Sequence, residues 1–403
     1  MTIAQGMSGG AACAVSDLLD NVARIEAGQE VLLLAHVDGL YGSDNLVDEQ
    51  AIAWIQSGIH QRGAHASVLW IDEQGWSALE GRIPPVLKAA MAGCDVFINH
   101  SFNLVTEDMR VLREHFTQLG IRYVRNFATT AALLNTPWAQ TPSELLAEIR
   151  YQAGAQFNEG DRWRLTDVNG TELEGTVAAT THEWFPTYAC YREGGGGYLP
   201  WPEWVYPPIN LAGTCGELVF DRMLSTWTRA IGVPPFLASP IRIVVEDGRI
   251  VGIEGGEEAT KLRSFLERMA LVEGESVYEF SCLHGGIHPQ AAVSAQECPN
   301  VNYRRLIEHA HTSNIHMHIG AEPQNRTSPY WLHITGDVRT ATLTVGETVV
   351  YEAGRLRVLD NPKVLAVAEK YPDRPGLPQQ PSSRCEFAAQ GEDEMPYPTA
   401  SSR

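Results

Sequence analysis

The stretch EVLLLAHVDGLYGSDNLVDEQAIAWIQSGIHQRGAHASVLWID (30–72) holds two apolar runs rich in strand formers, at 30–39 and 65–72. Between them, over 43–63, apolar residues recur at helical spacing, with Ser43 placed to cap a helix and Gly63 to stop it. Strand, helix and strand in one short stretch predict a parallel pair joined by a crossover helix. The pattern continues in CDVFINHSF (94–102), IRYVRNFA (121–128) and the amphipathic PSELLAEIRYQAGA (142–155). Residues 1–158 are therefore expected to form an α/β domain, a parallel sheet with helices on both faces. No GxGxxG or Walker sequence follows the first strand, so nothing here supports nucleotide binding.

Beyond residue 160 the texture changes. DRWRLTDVNGTELEGTVAATTH (161–182) turns at Asn169 and Gly170, and IRIVVEDGRIVGIEGG (241–256) turns at Asp247 and Gly248, both between alternating runs. ATLTVGETVVYEAGRLRVLD (341–360) supplies more short strands, and EEATKLRSFLERMALV (257–272) is a helix. The expectation for 159–370 is an α+β domain with mostly antiparallel strands. The remainder, 371–403, is rich in Pro, Ser and Gln and is expected to be a disordered tail.

Composition excludes several function classes. A chain of 403 residues is long for one core and fits two domains. With 44% hydrophobic and 20% charged residues it reads as globular. A net charge of −19 with no basic stripe argues against nucleic acid as a partner. No apolar run reaches the roughly 18 residues of a membrane span, and the N-terminus lacks a signal-peptide pattern. The seven cysteines are scattered and odd in number, which favours reduced thiols and a cytoplasmic location.

Seven of the 13 histidines fall between 284 and 333, in SCLHGGIHP (281–289) and SNIHMHIGAEPQNRTSPYWLHITGD (313–337), with His309 and His311 between. His316 and His318 are two apart, so on a strand they project from one face. His309 and His311 read as ordinary core or surface groups. Cys282, His316 and His333 sit in strand-like segments of low charge, where a buried imidazole needs a partner and a divalent metal is one. The spacing matches no strong zinc-finger pattern. YREGGGGYLPWPEWVYPP (191–208) surrounds one acid, Glu203, with Trp201, Trp204 and Tyr206. It reads either as a structural aromatic cluster or as a carboxylate ligand beside a stacking wall.

Taken in order, the Pro-Glu at 202–203, GELVFD (216–221), the segment 241–266, VYEFSCLHGGIHP (277–289), and the HIG and WLHITGD motifs resemble the aminopeptidase T superfamily of metallo-aminopeptidases. GIEGGEEATKLRSF (252–265) and VYEFSCLHGGIHP bring the resemblance closest to the 2,5-dihydroxypyridine 5,6-dioxygenases, non-haem iron enzymes within it. The dioxygenase pattern implies a histidine where this chain has Cys282, a histidine at His333 and an aspartate where it has Thr335. The aminopeptidase pattern implies glutamates at Glu203 and Cys282, a histidine at His316, and the same His-x-Asp pair. Asp337 is the nearest substitute for the missing aspartate.

The expected metal set is Glu203, His316 and His333 with Cys282 as a fourth ligand, holding Fe(II), or Zn(II) as the alternative favoured by a thiolate. Cys282 as a small apolar core residue is the competing reading. His318 or His288 is the expected general base, since histidine titrates near neutral pH. Trp201, Trp204, Tyr206 and His284 are expected to line the substrate. Three functions follow: a dioxygenase opening a hydroxylated N-heteroaromatic ring, an aminopeptidase-like metallohydrolase, and a metal-free binding protein. The expected partners are a small aromatic substrate and further copies of the chain in a homo-oligomer.

Overall fold

The computed structural model describes residues 6–36, 46–71, 83–100, 115–178, 198–202, 205, 209–210, 213–223, 228, 231–320, 332 and 334–377. Its first sheet is parallel and five-stranded. Glu30–His36 pairs with His65–Ile71 on one side and Val96–Asn99 on the other, followed by Arg122–Asn126 and Tyr198–Trp201. Alternation decides which face each side chain serves. Leu32, Leu34, Phe97 and Tyr123 pack one face with Leu87, Met91 and Phe116. Val31, Leu33, Ile98 and Val124 pack the other with Leu18, Leu19, Trp54 and Ile55. The expected coverage of both faces is what the chain adopts.

The crossover helix runs Glu49–Gln61, and its cap is Asp48, whose carboxylate accepts from the Ala51 N–H at 2.6 Å. Ser43, the expected cap, lies outside the described residues. Gly63 ends the turn with φ +76°, as its stop position required.

The second sheet has twelve strands and is antiparallel throughout its described pairs. The hairpins form where Asn169–Gly170 and Asp247–Gly248 place them, joining Arg162–Thr166 to Glu172–Thr176 and Phe236–Glu246 to Arg249–Glu254. Asp247 and Gly248 both have positive φ, +47° and +73°, as a tight primed turn demands.

Two findings cut across the expected linear division of the chain. Tyr198–Trp201 returns to the first sheet after the 162–176 hairpin has already joined the second. Likewise Tyr303, Leu306, Ile307 and Ala310, around the helix Val301–Glu308, pack into the first sheet's core, and the Tyr303 hydroxyl donates to the Phe127 carbonyl. At the other end, 371–377 is packed, against the expectation for the tail. The Tyr371 hydroxyl reaches Glu144 at 2.7 Å, Arg374 donates to the Gln140 carbonyl, and Gln290 donates to the Gly376 carbonyl at 2.7 Å. Residues 378–403 lie outside the described residues.

Candidate metal centre

Three adjacent strands of the second sheet build the site: Phe280–Gly285, Asn314–Ile319 and Ile334–Arg339. Their register sets His284 opposite His316, His316 opposite Asp337, and His318 opposite Thr335. Leu283, Ile315, Met317, Ile319, Ile334 and Val338 therefore turn to the opposite face, where they join the main core. Burying each is worth roughly 1.5–3 kcal/mol, so a one-residue slip that exposed this ladder would be very costly. The apolar ladder thus fixes the polar face. Cys282, His284, His316, His318, Thr335 and Asp337 come together there.

The donor atoms on that face converge. Cys282 Sγ lies 3.0 Å from His318 Nδ1 and 3.6 Å from His284 Nε2. Cys282, His284 and His318 can bring one ligand atom each within 4.8 Å of one another, and so can His309, His316 and His318. The rings of His284 and His316 stack at 5.0 Å, and those of His309 and His316 lie tilted with centroids 3.5 Å apart. His309 enters from outside the sheet, at the C-terminal end of the helix Val301–Glu308. Its place in the cluster corrects the expectation of an ordinary histidine; the one local clue in the sequence is Arg305 and Glu308 in the preceding turn.

Behind His309 stands a buried charge network. Asp337 Oδ1 is 3.1 Å from His309 Nδ1, and its other oxygen accepts from Arg305. Arg305 also bonds Glu308 at 2.6 Å, and Arg222 faces Glu308 at 3.9 Å. Burial alone would raise the Asp337 pKa, but His309 and Arg305 outweigh it and hold the carboxyl down at about 2. Both oxygens of Asp337 are thus engaged, and Asp337, the nearest substitute for the missing ligand, belongs to neither group of converging donors among the described residues. Thr335 is fully buried opposite His318.

His288 does not join the cluster. Its Nε2 donates to the Trp138 carbonyl at 3.0 Å and its Nδ1 accepts from the Gln290 N–H at 3.1 Å. Burial pushes its pKa down to about 3, so the ring is neutral and has no nitrogen left to take a proton. The expected general base is a structural histidine. Gly286 permits the close approach beside it, since a Cβ there would sit 2.0 Å from the His311 carbonyl oxygen.

Trp201 is also corrected. Its side chain is 1% exposed in the first sheet's core and its indole N–H donates to Asp17 at 3.2 Å, so it is not available to stack on a substrate. Glu203, Trp204, Tyr206 and His333 lie outside the described residues. The described flanks of the first three pair with the ligand strand: Val205 opposite Gly286, Ile209 opposite Leu283 and Asn210 opposite Cys282.

Residues 86–358, well over half of the chain, match the NicX family, 2,5-dihydroxypyridine 5,6-dioxygenase. The chain belongs to this family. It is a dioxygenase-like enzyme, as the motifs around Cys282 indicated. The structure of 2,5-dihydroxypyridine dioxygenase from Pseudomonas putida KT2440 superposes with a TM-score of 0.55 at 15% identity, covering 87% of this chain and 98% of that one. Wild-type AmpT from Thermus thermophilus gives 0.50 at 13% identity, covering 86% and 99%. At such identities the likeness is one of fold. No curated protein matches in sequence. Among the described residues, no helix is long and apolar enough to cross a membrane.

Proposed function

We propose that the protein is a metal-dependent, ring-cleaving dioxygenase acting on a small hydroxylated N-heteroaromatic compound. The observation that carries this reading is the convergence of Cys282, His284, His316 and His318 from one face of the sheet, with His309 reaching His316 and His318 from a helix end, in a family member. The donors fit a divalent ion: imidazole suits both iron and zinc, and a thiolate supplies balancing charge. Cys282 and His316 keep their expected ligand roles, Glu203 and His333 are proposed to complete the set, and His318 moves from base to ligand.

When bound, the ion supplies Lewis acidity and a template on which two reactants lie side by side. The chain's own contribution is to hold that template rigidly on three hydrogen-bonded strands. His284, half-buried at the edge of the cluster, is the imidazole best placed to meet substrate and move a proton. A second reading, a zinc-dependent hydrolase of a small amide, draws on the Cys282 thiol beside two imidazoles and on the AmpT-like fold.

Purified protein loaded anaerobically with Fe(II) is expected to hold one ion per chain and to consume O2 with 2,5-dihydroxypyridine or a close hydroxylated relative. Amide hydrolysis supported only by Zn(II), without O2 uptake, would transfer the assignment to the second reading. A protein that binds no divalent ion would be a binding scaffold and would sink both.

A further inference from the structure

We infer that His309 is itself a metal ligand, forming a three-imidazole group with His316 and His318, and that Asp337 is the positioning residue that presents it. This rests on the metal reading above, and extends it to a residue outside the strands that carry the other donors.

Geometry makes the case. His309 can bring a ligand atom within 4.8 Å of those on His316 and His318, and all three side chains are buried. Its Nδ1 lies 3.1 Å from Asp337 Oδ1. An ionised carboxylate accepts only, so Nδ1 carries the proton and donates it. The tautomer that results leaves the lone pair on Nε2, the ring nitrogen that can bind an ion. A carboxylate behind a histidine is the usual means of fixing ring orientation and raising ligand basicity at metal sites. Asp337 cannot swing away from this task, because Arg305 holds its second oxygen.

A network of buried ion pairs holds Asp337 in place. Among the described residues, Arg222, Arg305 and Arg339 face Asp221, Glu308 and Asp337. The geometry also bears on Thr335, where the family resemblance implies a carboxylate. The acid sits two residues on, at Asp337 on the same face, where it acts behind a ligand instead of as one.

The decisive pair of variants is His309→Asn and Asp337→Asn. The His309→Asn side chain keeps an N–H for Asp337 but has nothing at the place of Nε2. Zn(II) and Co(II) affinities would be measured by competition with a chromophoric chelator, and the fold followed by near-ultraviolet circular dichroism. His309→Asn should keep the wild-type dichroism yet bind both ions at least about tenfold more weakly, and its Co(II) spectrum should change as a nitrogen donor is lost. Asp337→Asn should weaken affinity by roughly 10–100-fold, the usual cost of losing such a partner. Wild-type affinity and an unchanged Co(II) spectrum in His309→Asn would overturn the inference while leaving the metal reading intact. Failure of the wild-type protein to bind either ion would overturn both. If Asp337→Asn does not fold, His309→Asn alone decides.

Discussion

Two sets of histidines lie within a few residues of each other and meet opposite fates. His288 is buried and His311 half-buried, and both are engaged by the main chain packed against them: the first by the Trp138 carbonyl and the Gln290 N–H, the second by the Ser313 N–H at 3.1 Å and its hydroxyl at 2.8 Å. Burial lowers their pKa values to about 3 and about 4, so both are fixed as neutral structural groups. His284, His316 and His318 are gathered instead by strand register, His309 joins them from the end of a helix, and the rings lie against one another. What separates the two sets is where the ring nitrogens point. Where they meet the main chain they build the fold, and where they meet each other they can hold an ion.

Substitutions should break this contrast in a graded way. The largest effect is expected for His318→Ala, because His318 is the one residue common to both groups of converging donors. Its metal affinity should fall beyond the roughly 10–100-fold typical of losing an outer partner, with the melting temperature little changed. Retained occupancy would show that the ion sits elsewhere.

Cys282 comes next. As a ligand, it predicts that Cys282→Ser weakens metal binding while Cys282→His keeps or raises iron affinity. As a mere core residue it predicts the reverse ranking, with Ser harmless and His destabilising through overpacking. Iron content and thermal stability of the two variants decide, and the 3.0 Å approach of its sulfur to His318 favours the ligand outcome.

His288→Gln should do the opposite of His318→Ala. Metal content should stay at the wild-type level while stability drops by about 1–3 kcal/mol, the cost of disturbing a buried hydrogen-bonded group. The same residue governs a pH effect. Because its folded pKa is depressed to about 3, the unfolded chain binds the proton first. Its contribution is thus complete above about pH 6.5 and is lost as the pH falls toward 3, with a slope of up to about 1.4 kcal/mol per pH unit. Denaturant midpoints measured from pH 7 to 4 should fall less steeply in His288→Gln than in the wild type.

The smallest effect concerns the chain end. Truncation after Lys370 removes the Tyr371 and Arg374 contacts and should lower the melting temperature by about 1 °C per kcal/mol lost. Truncation after Leu377 should leave it unchanged. Equal stability of the two truncated chains would show that 371–377 is ornamental.

Much of the scaffold is legible in the sequence because local rules suffice. The strands at 30–36, 65–71, 96–99 and 122–126 fall inside the apolar runs, and the turns at Asn169 and Asp247 announce their hairpins. The face shared by His316 and His318 follows from their spacing alone. Tyr198–Trp201 escapes such rules because its neighbours are glycine, proline and aromatic residues, which resemble a loop until a fourth parallel strand is there to pair with. His309 is hidden for a different reason. Its partner Asp337 is 28 residues away in sequence and meets it only once the helix has docked on the sheet. Trp201 and His288 carry the right chemistry for a site, and only burial and partner geometry reveal that they are committed elsewhere.

The return of Tyr198–Trp201 to the first sheet bears on how the protein is made. As the chain leaves the ribosome, the parallel sheet cannot gain its last strand until residue 201 has emerged, after the first hairpin of the other sheet. Its second face stays partly bare until the helix ending at Glu308 arrives. An amino-terminal fragment cut at 158 would expose the edge of Arg122–Asn126 and the apolar surface around Phe127, an invitation to self-association. The two halves are therefore bound to mature together, and the helix that finishes the first core is the one that carries His309 to the second.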